Sequence, residues 1–200
     1  MANVAPFLDL SPAQGEWSEA DYFPFSDCGR LVELSDGNVE ILPVPTYFHQ
    51  LILLRLSTAL HIFVLARQMG YVCFAPLPIR LWPGKIREPD LMFMAAGHED
   101  RIGKYWGVPD LAVEILSEGH EQKDRQVKRD EYAQAGISEY WIVDPEERTI
   151  EILRLANGIY ELGAILREGD TLESPMFPEF SLALKDVFAA SPSISVPPGQ

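Results

Sequence analysis

The sequence predicts an α/β or α+β domain, with one mostly mixed sheet covered by two main helices. Three observations predict it. Two turn dipeptides, Asp36-Gly37 and Asn157-Gly158, each separate a pair of β-like runs, the strongest short hairpin signal there is. One long apolar stretch, Thr46 to Gln68, repeats at helical spacing. Short, strongly apolar runs such as Asp110–Leu116 follow it and read as buried strands.

In chain order, Ser18 to Phe23 reads as a short helix with a serine N-cap. Arg30–Ser35 and Asn38–Leu42 form the first hairpin. The long helix carries Phe48, Leu51, Ile52, Leu56, Leu60, Phe63 and Val64 on its apolar positions, and Gly70 is its expected stop. Tyr71–Ala75, Pro78–Trp82, Pro89–Met94 and Asp110–Leu116 read as strands. His120–Ala135 is a polar helix closed by Gly136, and Glu139–Asp144 is a further strand. Thr149–Leu155 and Ile159–Leu166 make the second hairpin; a short strand and a helical turn near Ser181–Phe188 complete the domain. Residues 1–16 form an arm, residues 17–188 the domain, and residues 189–200, rich in proline and free of charge, a disordered tail.

Composition narrows the function. The chain has 200 residues, 47% hydrophobic and 23% charged, ordinary for one soluble domain. Thirty acids against sixteen bases give a net charge of −14, so a broad basic surface for gripping phosphates is absent. Any nucleic-acid contact needs a local basic patch or a metal ion. Cys28 and Cys73 have no metal-ligand spacing and read as reduced thiols in a cytosolic protein. The N-terminus lacks the features of a signal peptide. Leu51 to Ala66 is interrupted by Arg55, Ser57, Thr58 and His61 and reads as a core helix, not a membrane span. Nucleotide-cradling glycine loops, a GxSxG elbow and clustered histidines are all missing.

The pair that carries chemistry is Asp90, at the start of one strand, and Glu114, inside the apolar run DLAVEIL. On neighbouring strands they meet on one face of the sheet. Two carboxylates, a backbone carbonyl and waters suit Mg²⁺, which polarises a phosphoryl oxygen and eases deprotonation of an attacking water. A structural salt bridge from Glu114 to Arg87 or Lys128 also explains the buried carboxylate, and spacing alone favours it over a metal site. Asp124, Lys128 and Tyr132 recur at helical spacing and share one helix face.

Several motifs stand in order along the chain: Trp17–Tyr22, Glu33–Gly37, His49, Arg87–Asp90, Val108–Ser117, then Asp124, Lys128 and Tyr132, and finally Glu139–Pro145. Together they resemble the Uma family of restriction-endonuclease-like proteins, within the PD-(D/E)XK nuclease superfamily. The resemblance spans roughly residues 17–188. It implies a restriction-endonuclease-like mixed sheet flanked by helices, with extra hairpins, and a Mg²⁺-dependent endonuclease acting on DNA, with Mn²⁺ as a substitute ion. Asp90, Glu114 and the Ile115 carbonyl would hold the metal. The superfamily lysine falls two residues after the glutamate, where this chain has Leu116; the resemblance moves its role to Lys128, with Lys123 and Lys104 as fallbacks. Against this, Asp124–Lys128 also reads as an ordinary exposed helix pair.

Glu33 would be an accessory acid, although a solvent-facing strand residue fits as well. His49 would contact a phosphate or pack by hydrogen bonding, with Asp124 and Tyr132 in support. Asp110 reads as a turn residue or an outer ligand, and Tyr140 and Trp141 as core. Cutting both strands of a duplex needs two sites, so a homodimer accords with this reading; a membrane does not. The opposing class is a non-catalytic accessory or regulatory protein that keeps the nuclease fold.

Overall fold

The computed structural model describes residues 12–27 and 31–189. The expected tail from residue 190, most of the N-terminal arm, and Cys28 lie outside the described residues.

Helix α1 (Glu19–Ser26) starts at Ser18, which with Asp21 forms a reciprocal capping box. Strands β1 (Val32–Ser35) and β2 (Asn38–Ile41) form the first hairpin. Its central residues Asp36 and Gly37 both have positive φ, 50° and 81°, as a type I′ turn requires. Helix α2 (Tyr47–Arg67) is capped by the Thr46 side chain and stops at Gln68 in a left-handed conformation. Gly70 opens the next strand instead, at φ 147°, where a side chain would collide with the Met94 carbonyl.

Strands β3 (Gly70–Phe74), β6 (Leu91–Ala95), β7 (Leu111–Ile115), β8 (Glu139–Asp144), β9 (Thr149–Ala156) and β10 (Ile159–Arg167) form a six-stranded sheet in the order β10-β9-β8-β7-β6-β3. Only the β7–β8 pair is parallel. Strands β4 (Ile79–Trp82) and β5 (Lys85–Arg87) join the first hairpin in a second sheet, β2-β1-β5-β4. Strands β11 (Thr171–Ser174) and β12 (Phe177–Ala183) pair by themselves, and α4 (Leu184–Val187) follows.

Three expectations change. Among the described residues one sheet becomes three, because the first hairpin pairs with β5, and β11 with β12, and neither joins the main sheet. Strand β5 has no apolar run to announce it: Lys85 and Arg87 are buried through ion pairs. The polar helix is also not uniform. Residues Lys123–Lys128 form a π-helical turn, and α3 proper runs Arg129–Ala135 to a left-handed Gly136. Such wide turns inside helices are frequent at functional sites.

The six-stranded sheet buries both faces. Leu111, Val113 and Ile115 of β7 face α2 and α4, packing with Ile52, Leu56 and Trp141. Ala112 and Leu116 belong to the opposite face, under α3, with Tyr132 and Tyr140. Glu114 takes this second face by the two-residue period. Helix α2 is long and apolar enough to cross a membrane by length and composition; here Ile52, Leu53, Leu56, Leu60 and Val64 are buried against the sheet.

Candidate functional site

Register positions the carboxylates. Strands β6 and β7 pair Leu91 with Val113, so the same antiparallel count puts Asp90 level with Glu114 at the strand end. The Ile115 amide donates to Asp90 Oδ2 at 2.7 Å, and His49 Nε2 lies 3.2 Å from the same oxygen. His49 comes from the first turn of α2 and is buried, with its Nδ1 left without a hydrogen-bond partner.

Lys128 occupies the centre of the site. Its Nζ lies 2.9 Å from Glu114 Oε1, 3.1 Å from Asp124 Oδ1 and 3.3 Å from Glu33 Oε1. The Tyr132 hydroxyl donates to Glu114 Oε1 at 2.6 Å. The expected grouping of Asp124, Lys128 and Tyr132 thus holds across the π-helical turn, and Lys128 is buried, not an exposed helix pair. Burial pushes the Glu114 carboxyl up; Lys128 pulls it down, but Asp124, Asp90 and Glu33 add to the rise, leaving it at about 8. Burial alone would lower the Lys128 pKa, but Glu114, Glu33, Tyr132 and Asp124 hold it well above the usual lysine range.

Glu33 is not the solvent-facing residue that one reading of the hairpin allowed; it is fully buried. Arg87 Nη1 and Lys123 Nζ reach its Oε2 at 3.1 and 2.7 Å. Burial raises its pKa, but Lys128, Arg87 and Lys123 outweigh that and hold it at about 2. Arg87 therefore does not meet Glu114. It bridges Glu33 and Glu131, and Lys85 joins Glu131 at 3.0 Å.

His49, Asp90, Glu114, Asp124 and Lys128 line a cleft of about 330 Å³ with Glu88, Ser117, His120, Lys123, Gln50 and the Ala75-Pro76 segment. Glu88 was given no role by sequence reasoning, although it sits within the Arg87–Asp90 motif. It is buried, takes a 3.3 Å bond from the Tyr22 hydroxyl on Oε1, and has no partner on Oε2. Burial is the main cause that pushes its carboxyl up to about 7.

Other candidates fall elsewhere. Asp110 accepts from the Ala95 amide and faces His98, a strand-end clasp. Lys104 pairs with Asp27 at the surface. Leu116 is core, as are Tyr140 and Trp141. For Ile115 the observed contact is through its amide, on Asp90.

Among the described residues, no group of three or more His, Cys, Asp or Glu side chains could by itself hold a metal ion. The donor set nevertheless fits Mg²⁺, which binds through one or two carboxylates, waters and substrate phosphates more often than in an all-protein cage. Asp90 and Glu114 supply the hard oxygens, and three further carboxylates close by make the cleft attractive to a cation.

Comparison with known proteins places the chain by family and by fold. A family model described as "Uma2: Putative restriction endonuclease" matches residues 20–185. No curated protein matches the sequence. Among solved structures, the fold is similar to the crystal structure of "a putative nuclease belonging to DUF820" from Anabaena variabilis ATCC 29413. The TM-score is 0.71 at 18% identity, covering 86% of this chain and 97% of that one.

Proposed function

The chain belongs to the Uma2 family of restriction-endonuclease-like proteins, and on that premise we propose that it is a Mg²⁺-dependent endonuclease hydrolysing phosphodiester bonds in DNA. One observation carries the reading. Asp90 and Glu114 stand together at the end of β6 and β7, and the ammonium of Lys128 reaches Glu114 from a helix. That supplies the positive charge that Leu116 cannot.

Asp90, Glu114 and the Ile115 carbonyl would hold the ion, and Mn²⁺ would serve in its place. When bound, it polarises the phosphoryl oxygen and favours deprotonation of the attacking water. The chain's own residues set the geometry. The Ile115 amide and His49 fix the Asp90 carboxylate, and the Tyr132 hydroxyl fixes Glu114. Lys128 stays protonated at neutral pH, so it is a donor and not a base. It orients the water and stabilises charge developing on the phosphate. Glu33 has both oxygens engaged by cations and by the Glu88 amide; it positions Lys128 and is not a metal ligand.

A second reading has its own support. Lys128 lies among three carboxylates and neutralises part of the site from within, as a non-catalytic protein keeping the fold would do. Calorimetric titration with Mg²⁺ and Mn²⁺, with and without a DNA oligonucleotide, separates the two. The nuclease reading expects about one ion per chain, lost in Glu114→Ala, and cleavage lost with it. Absence of binding in wild type even with DNA present favours the non-catalytic protein.

A further inference from the structure

The carboxylate cleft does not end at Asp90. Gln50 and Ala75 line both the cleft and a second groove of about 390 Å³ between α2 and β3, whose lining has no Lys, Arg, Asp or Glu but includes Ser57, Thr58 and His61. That groove is walled by Leu53, Leu54, Val72 and Phe74. Phe74 and Leu54 are 56% and 60% exposed. Backbone hydrogen bonding ties this groove to the chemistry: Phe74 is the register partner of Leu91, and the next amide, Ala75, donates to the Asp90 carbonyl at 3.0 Å. An exposed aromatic ring is therefore held one residue from the segment that carries Asp90.

We propose that this groove receives an unpaired base next to the scissile phosphate, stacked on Phe74, and that the substrate is single-stranded or locally unpaired DNA. The inference rests on the nuclease reading of the cleft. The argument is chemical. A phosphate drawn to the Asp90–Glu114 end leaves its neighbouring nucleotide at the Gln50–Ala75 rim, beyond which the lining is mainly apolar and has no Lys or Arg to draw a further phosphate. A base in a duplex shows only its edge there, whereas an unstacked base presents a face that an aromatic ring can take. Charge points the same way. Lys123 and Lys128 in the cleft are already paired with carboxylates, and the chain carries a net charge of −14. Duplex DNA, with its higher charge density, meets more repulsion and more demand for basic contacts than a single strand.

The test is fluorescence anisotropy in Ca²⁺ with labelled oligothymidylate, the same strand carrying one abasic position, and a duplex of equal length. Wild type should bind the single strand more tightly than the duplex. Phe74→Ala should weaken single-strand binding by about 5- to 150-fold, the range for losing one stacked base, and Phe74→Trp should restore it. An abasic position should cost a similar factor in wild type and little in Phe74→Ala. Far-UV circular dichroism checks folding of each variant. Equal or tighter duplex binding, no single-strand binding, or binding indifferent to Phe74 overturns the proposal. So does a change of oligomeric state in Phe74→Ala without a change in DNA affinity, which would assign the groove to a second copy of the chain. The two readings fail separately. Cleavage with Phe74-independent binding removes the groove alone, and Phe74-dependent binding with no metal uptake or cleavage removes the nuclease.

Discussion

Glu114 and Glu139 are both buried glutamates on adjacent strands of one sheet, exposed by 4% and 3%. Glu139, at the start of β8, accepts from Trp141 Nε1 at 2.5 Å and from the Ser174 hydroxyl at 2.6 Å. Those two donors are neutral and belong to the apolar side of the sheet, and one guanidinium, that of Arg154, lies 3.6 Å from the other oxygen, Oε2. Glu114 faces an ammonium, a tyrosine hydroxyl and three other carboxylates at the edge of a cleft. Burial is the same; the company differs. A buried carboxylate shared between two neutral donors and one guanidinium, with no other carboxylate crowding it, holds structure together. One crowded by like charge around a single cation is poised for chemistry.

Breaking the crowded site should have the largest effect. Lys128→Met removes the cation from among Glu33, Glu114 and Asp124, and should cost about 3–5 kcal/mol of folding stability at neutral pH. Urea denaturation measures it. The loss should shrink on acidification, as Asp124, whose carboxyl burial pushes up, and Glu33, which Lys128 holds low in wild type, take up protons. A pH-independent loss would mean that the cluster is not held by charge.

The pair Glu114→Gln and Glu139→Ala sharpens the contrast. Glu114→Gln should lower cleavage per folded molecule by about 10²- to 10³-fold, on the scale of removing one preorganised electrostatic contact, while the protein still folds. Glu139→Ala strands Trp141 Nε1 and the Ser174 hydroxyl without their acceptor. It should cost about 1–3 kcal/mol with cleavage per folded molecule unchanged. Reversed outcomes would exchange the roles of the two residues.

What the sequence made legible follows the range of the contacts. The period-two pattern of β7 places Glu114 opposite its apolar neighbours, and both hairpins are announced by local turn residues. Asp124 and Lys128 are four residues apart, so their pairing is local. Glu33 is different. Its burial depends on Arg87 and Lys123, 54 and 90 residues away, and no local pattern shows that three cations will converge there. Strand β5 is hidden for the same reason, since Ile86 is its one apolar residue and the burial of Lys85 and Arg87 on either side depends on distant carboxylates. Glu88 stood inside a recognised motif, but its lack of a partner on Oε2 appears only when the cleft is assembled.

Glu88 and Glu33 extend the comparison to pH and give the smallest expected effect. The Glu88 amide lies 3.4 Å from Glu33 Oε1, yet their carboxyls are displaced in opposite directions. Glu33 is held at about 2, below its ordinary value of 4.5. It therefore contributes stability above pH 4.5 that is lost as pH falls toward 2. Glu88 is raised from 4.5 to about 7. Below pH 4.5 it is protonated in both folded and unfolded chains. Between 4.5 and 7 the unfolded chain releases the proton first, so stability falls as pH rises through that window. Glu88→Gln removes this ionisation. The variant should gain about 1–3 kcal/mol over wild type between pH 5 and pH 8, read from urea denaturation at each pH. The corresponding Glu33→Gln should lose its disadvantage only on strong acidification. If Glu88→Gln tracks wild type across the whole range, Glu88 is already ionised at pH 5 and has found a cation in the cleft.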